Sequence, residues 1–204
     1  MAKQYRLNFN VSAPDLTLLT PAREEVNLSS LWKDKPLLLA FTRHFGCTQC
    51  KMMLTDLVEN RERILAAGLN IAVVMQGSPE MTAVFAEQFA AGLFCLSDQT
   101  REAYRAYGLE RGDLFQTFLN PRVWKAVAGA RKRGFKVETP PEGQDAMLMS
   151  GTFIITRKGK IALPYYYDDI ADHPPVDLLL NGVLSTRWDR DFDGPLGING
   201  EKDK

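Results

Sequence analysis

Apolar positions along the chain follow two rhythms. Short unbroken runs occupy residues 37–41 (LLLAF), 71–75 (IAVVM) and 92–96 (GLFCL). Runs of this length suit strands buried on both faces. Between them the spacing turns helical. Leu54, Leu57, Val58, Ile64 and Leu65 form one stripe ahead of a stop at Gly68. Met81, Val84, Phe85 and Phe89 form a second, opened by Ser78 as N-cap and Pro79 at the first helical position. Asp98 is placed to cap a short third helix through Ala103, Tyr104 and Tyr107, ended by Gly108. This strand–helix alternation predicts a parallel or mixed sheet with helices packed on it.

The second half has a different texture. Residues 120–137 hold six Lys or Arg and no acid. They read as a basic helix or loop with a solvated face, in which Trp124 is expected to anchor onto the core. Thr139-Pro140-Pro141-Glu142-Gly143 is a loop signal. Residues 152–156 and 161–167, around a turn at 157–160, read as a hairpin. Pro174 and Pro175 start a last helix carrying Val176, Leu179, Leu180 and Val183. The organisation expected is one domain over residues 1–185, with an insertion at about 110–150, and a polar tail over 186–204. Of Tyr165, Tyr166 and Tyr167, alternation buries some rings and leaves room for an interface.

Composition narrows the partners. The 204 residues carry 25 basic and 25 acidic side chains, so the formal charge is zero. That argues against nucleic acid or an anionic membrane as the main partner. No apolar run approaches the roughly 18 residues of a membrane span. Residues 1–6 lead into no apolar segment of a signal peptide, so the expected compartment is the cytoplasm, where stable disulfides are rare.

Three cysteines then change the picture. Cys95 stands between Phe94 and Leu96 in an apolar run and reads as a small core residue. Cys47 and Cys50 form a C-x-x-C pair between the run at 37–41 and the helical stripe, at a strand-to-helix turn. Peptide N–H groups and the helix dipole stabilise a thiolate there, lowering a cysteine pKa from about 8.5 toward 7 or below. Arg43 and Lys51 flank the pair and can add positive charge. The first cysteine of such a pair usually lies at the exposed helix tip and the second is more buried, which makes Cys47 the nucleophile and Cys50 the resolving thiol. Two reactions fit. Cys47 attacks a peroxide, becomes a sulfenic acid and condenses with Cys50; or Cys47 attacks a disulfide and Cys50 releases the mixed disulfide. An inert pair is the bland alternative. A zinc reading through His44, Cys47 and Cys50 is weaker, since only Cys95 or His173 remains as a fourth ligand.

Several stretches taken together resemble a known family. Residues 13–18 (APDLTL), 26–31 (VNLSSL), 96–98 (LSD) with Tyr107-Gly108, and Thr152-Phe153-Ile154-Ile155 with 159–161 (GKI) resemble segments of peroxiredoxins, the alkyl hydroperoxide reductase/thiol-specific antioxidant superfamily. Residues 43–50 (RHFGCTQC), 76–80 (QGSPE), 121–124 (PRVW) and 172–175 (DHPP) resemble its peroxiredoxin-like 2 subfamily. The resemblance covers residues 12 to about 184. It implies an α/β fold: a thioredoxin-like three-layer α/β/α sandwich with a mixed central sheet and an N-terminal extension. It also implies an antioxidant oxidoreductase of peroxides, with no bound cofactor and an external thiol reductant of thioredoxin or glutaredoxin type. Its partners would be a peroxide or disulfide substrate and a thiol-donor protein, with no nucleic acid and no membrane; a homodimer is left open. Reduction of protein disulfides or lipid endoperoxides is a second enzymatic reading, and a redox sensor or binding protein on the same scaffold a third.

The sequence departs from the peroxiredoxin pattern around the thiol. Peroxiredoxins carry Pro and Thr seven and three residues before the reactive cysteine, where this chain has Ala40 and His44. They carry an Arg before the late strand, and thioredoxins a cis-Pro, where this chain has Ser150-Gly151-Thr152. Arg43, His44, Thr48 and Thr152 are the candidate supporting residues, with Arg43 as a replacement positive charge. His44 reads equally well as a thiolate tuner or as packing.

Overall fold

The computed structural model describes residues 5–181 and Trp188. The chain begins with two short strands, β1 (Thr17–Leu19) and β2 (Glu25–Asn27), and a one-turn helix α1 (Leu28–Leu31). Then follow β3 (Leu37–Phe41), α2 (Thr48–Glu59), α3 (Arg61–Ala66), β4 (Asn70–Met75), α4 (Pro79–Phe89), β5 (Phe94–Ser97) and α5 (Glu102–Ala106). A π-helical turn (Phe115–Leu119) and α6 (Pro121–Lys132) precede the hairpin β6 (Gly151–Ile155) and β7 (Ile161–Tyr166), and α7 (Val176–Asn181) follows. Val183 and most of the 186–204 tail lie outside the described residues. Trp188 of that tail is buried, and its indole N–H donates to the Leu179 carbonyl at 2.7 Å.

The seven strands form one sheet in the order β2-β1-β5-β4-β3-β6-β7. β3, β4 and β5 are parallel, while β1, β2, β6 and β7 pair antiparallel. The sheet is therefore mixed, as expected, with the three apolar runs at its centre. All five β3 residues are buried, and their pleat divides the core in two. Leu38 and Ala40 point to the layer holding Met53, Leu54, Leu57, Phe85 and Leu179. Leu37, Leu39 and Phe41 point to the layer holding Leu28, Trp32, Tyr104 and Tyr107. Helices thus cover both faces, which is why β3 has no polar side.

Local chemistry explains the boundaries. Ser78 caps α4, its hydroxyl accepting from Met81 N–H, with Pro79 at the first position. Asp98 accepts from the N–H groups of Glu102, Ala103 and Tyr104 and so caps α5 from four residues upstream. Gly68 takes φ +84°, which fits it as the stop after α3.

Three expectations are corrected. The stripe from Leu54 to Leu65 is two helices, because Asn60 leaves helical geometry (φ −103°, ψ 8°) and its side-chain amide donates to the Asp56 carbonyl. Val84 points outward and Thr82 takes the buried place on α4. Trp124 is 66% exposed and anchors nothing in the core; Val123 and Ala130 are the α6 residues that pack inward. Cys95 is buried in the core, and burial pushes its thiol up to about 12.

Candidate active site at the start of the second helix

Cys47 is the N-cap of α2, extended at φ −77° and ψ 112°, and its carbonyl accepts from Lys51 N–H at 3.1 Å. Residues 42–46 link it to the centre of the sheet. The Cys47 N–H donates to the His44 carbonyl at 3.0 Å, which tightens this turn and fixes the sulfur above the strand end. Cys50 lies one turn on, and the Arg43 N–H donates to its sulfur at 3.2 Å. Both cysteines are reduced and both are buried, so Cys47 is not the exposed tip that the spacing suggests.

Arg43 is the charge beside the pair. Its guanidinium is buried, with Nη1 3.7 Å from the Cys47 sulfur. Nε donates to the Leu148 carbonyl at 2.9 Å and Nη2 to the Ala146 carbonyl. None of the ion pairs among the described residues involves Arg43. A buried guanidinium facing only carbonyls and a sulfur favours negative charge on that sulfur. The Cys47 thiol is accordingly held low, first by a hydrogen bond from the Cys50 thiol and also by Arg43, against the opposing effect of burial. Cys50 is pushed up, by burial first and then by Cys47. One sulfur is thus set to be the anion and the other to keep its proton.

The insertion roofs the site. Lys51, buried at the first turn of α2, pairs with Glu138 at 2.5 Å, and the Glu138 N–H donates to the Gly46 carbonyl. The Phe45 N–H donates to Gln144 Oε1 at 2.8 Å. Gln76, at the end of β4, binds the Arg43 carbonyl and both donates to and accepts from the Asp145 backbone. A Cβ on Gly46 would collide with the Glu138 carbonyl, so only glycine admits this close approach. Beneath the roof lies a cavity of about 800 Å³. Arg43, His44, Cys47 and Thr48 form its polar end; Phe118, Val123, Trp124, Val127 and Ile170 are among its apolar walls.

The remaining candidates fall in two places. His44 is buried at the edge of this cavity, with Nδ1 unpartnered. Burial, then Arg43 and Lys51, lower its pKa to about 4, so at neutral pH it adds no charge to the thiolate. Thr48, first residue of α2, also lines the cavity. Thr152 lies elsewhere, on β6. Its hydroxyl shares a 2.8 Å hydrogen bond with Tyr167, in a smaller cavity of about 120 Å³ with His173. His44 and Cys47 border the large cavity; Cys95 and His173 do not, and no group of three metal-binding side chains occurs among the described residues.

Comparison with known proteins now bears on this geometry. The profile of the AhpC/TSA family matches residues 10–163, from the strand-edge segment through the C-x-x-C turn and into the hairpin. The chain belongs to the AhpC/TSA family. A prostamide/prostaglandin F synthase of Salmo salar is 28% identical over 163 residues, covering 76% of this chain and 77% of that protein. Peroxiredoxin-like 2C of Mus musculus is 24% identical over 183 residues, 83% of this chain and 77% of that one. A crystal structure of a peroxiredoxin-like protein from Aquifex aeolicus superposes with TM-score 0.61 at 18% identity, over 87% of this chain and 86% of that chain, and carries the thioredoxin-like fold across. Within this AhpC/TSA frame the roofing residues are the ones that motif reading did not single out. Gln76 lies in the 76–80 segment with no chemistry of its own, while Glu138, Gln144 and Phe118 carry no local signal, because their part is set by a loop returning from about 90 residues downstream.

Proposed function

We propose that the protein is a thiol-dependent peroxidase whose preferred oxidant is an apolar organic peroxide. The observation that carries this reading is the buried Arg43 guanidinium, without an ion-pair partner among the described residues, beside Cys47 at the polar end of an apolar cavity of about 800 Å³. The Cys47 thiolate attacks the terminal peroxide oxygen; the O–O bond breaks, and the departing alkoxide takes a proton from water to leave as the alcohol. Cys47 becomes a sulfenic acid. The Cys50 sulfur then attacks it, an S–S bond forms, and the sulfenic oxygen leaves as water with the Cys50 proton. Arg43 offsets charge on sulfur in the ground state and on the departing oxygen in the transition state, the task that the Thr and Arg of the peroxiredoxin pattern would otherwise share. An external dithiol, of thioredoxin or glutaredoxin type, returns the pair to its reduced state.

Burial of Cys47 favours a small molecule that enters the cavity over a folded protein disulfide, which needs an exposed sulfur. The names of the prostamide/prostaglandin F synthase relatives make a lipid endoperoxide the second oxidant to test. Reduced protein is mixed with sub-stoichiometric hydrogen peroxide, cumene hydroperoxide or a protein disulfide, and the Cys47–Cys50 disulfide is read by mass spectrometry. The expected order is cumene hydroperoxide fastest, with loss of consumption in Cys47→Ser. Equal peroxide consumption by Cys47→Ser and the unaltered protein would remove the peroxidase reading; oxidation by the protein disulfide alone would replace it with disulfide exchange.

A further inference from the structure

The cavity does not end in a closed wall. Phe118 and Trp124 line it and are also 52% and 66% exposed. Around them Leu114, Phe115 and Leu119 stand out of the π-helical turn, each more than half exposed. Five large apolar side chains within eleven residues thus meet solvent, Phe118 and Trp124 of them at the cavity, where a soluble chain normally shows such residues singly. The Trp124 indole N–H donates to the Phe118 carbonyl, which ties α6 to the turn and holds the two rings together.

Beside this patch the charge is positive. On α6, Trp124, Ala128 and Arg131 follow the i, i+4, i+7 spacing of one stripe, and Lys125 and Lys132 occupy the next. Lys125, Arg131, Lys132 and Lys136 are exposed, and none enters an ion pair with a described residue. Of the acids nearby, Glu138 is paired with Lys51, while Asp113 and Asp168 beside the turn keep their charge, two carboxylates against these four cations. The neutral total charge therefore hides a local excess of cations next to exposed aromatic and aliphatic side chains.

We infer that the π-helical turn and the outer face of α6 dock the protein on an anionic lipid bilayer, with the cavity mouth facing the membrane. Apolar side chains enter the headgroup boundary, Trp124 sits at the interface, and the lysines meet lipid phosphates. A bilayer matches a rim that is at once apolar, aromatic and cationic. Docking involves no redox step, so it can fail while the thiol reading stands, and the reverse.

The chain supplies its own reporter. Its three tryptophans are Trp32, Trp124 and Trp188, and the first and last are buried, so solvent-sensitive emission comes from Trp124. The test mixes reduced protein with vesicles of phosphatidylcholine containing phosphatidylserine, and with vesicles of phosphatidylcholine alone. Co-sedimentation with the anionic vesicles and a blue shift of Trp124 emission are expected, both weakening as salt is raised. Lys125→Glu with Lys132→Glu removes two cations and should weaken partitioning about fivefold per charge or more. Phe115→Asp with Leu119→Asp should abolish the shift, and circular dichroism checks that these surface variants stay folded. No binding to either vesicle, or binding unmoved by both double variants, overturns the inference. A blue shift that grows with protein concentration in the absence of lipid, together with a dimer in sedimentation velocity, would assign the face to a second copy instead.

Discussion

Replacing Arg43 by Met should raise the pKa of the Cys47 thiol by about 2–3 units. The guanidinium nitrogen lies 3.7 Å from the sulfur. At an effective dielectric of about 20, a unit-charge pair at that distance is worth roughly 4.5 kcal/mol. At 1.36 kcal/mol per pKa unit this sets a ceiling of about 3 units. The unaltered thiol should titrate at about 6. At pH 7 a rise of about 2.5 units cuts the thiolate population roughly 30-fold, while each thiolate becomes about tenfold more nucleophilic, so alkylation slows only a few-fold. Thiolate absorbance is therefore the deciding assay, with Cys47→Ser as the blank. Cys50 and Cys95, both pushed up by burial, stay silent in this window, so the difference spectrum follows one thiol. Arg43→Met also leaves the Leu148 and Ala146 carbonyls without their donor, at a cost of about 1–3 kcal/mol each, so the variant is compared by circular dichroism first. Arg43→Lys keeps the charge and should hold the midpoint closer to the original. A midpoint unchanged within about half a unit in Arg43→Met would refute the assignment and leave the Cys50 hydrogen bond as the sole cause.

Three further outcomes follow from the same geometry. Cys50→Ala removes the largest influence lowering the Cys47 pKa, so the midpoint should rise, and after peroxide a long-lived sulfenic acid should be trapped by dimedone; a sulfenate no more persistent than in the unaltered protein would deny Cys50 the resolving role. Gly46→Ala forces the Glu138 carbonyl away and should cost about 1–3 kcal/mol while exposing Cys47 to faster alkylation; an unchanged thermal midpoint would show that the roof adjusts freely. His44 and His173 are both lowered to about 4 by burial, whereas the unfolded chain protonates them near 6.5. The unfolded state then binds more protons below 6.5, so stability is intact above that pH and falls as pH drops toward 4, by up to about 2 kcal/mol per imidazole at pH 5. Urea unfolding at pH 7 and pH 5 measures the loss, and His173→Phe should remove about half of it.

Much of the fold was legible because its signals are local. The buried runs at 37–41 and 71–75 became β3 and β4 with no polar face, and Ser78-Pro79 opened α4 where the cap chemistry places it. The helix break at Asn60 is invisible to periodicity, since the apolar stripe continues through it and the competing side-chain bond leaves no trace in spacing. β1 and β2 leave no strand signal, because three residues each are too few to show alternation. Trp124 defeats composition: a large apolar ring on a helix is usually packed, yet here the helix turns it toward solvent at the cavity mouth.

By itself the sequence determined the α/β alternation, the turn that carries Cys47 and Cys50, and the thiol chemistry open to a pair at a helix start. Those depend on residues close together in the chain, where periodicity and capping act. Tertiary structure decided which thiol is the anion, what covers it, and what can reach it. Arg43 touches the sulfur because the insertion supplies the Ala146 and Leu148 carbonyls that fix its guanidinium, and the cavity exists because residues 115–146 fold back over α2. These contacts join segments up to about 100 residues apart, and no pattern of neighbours along the chain encodes a distance of that kind.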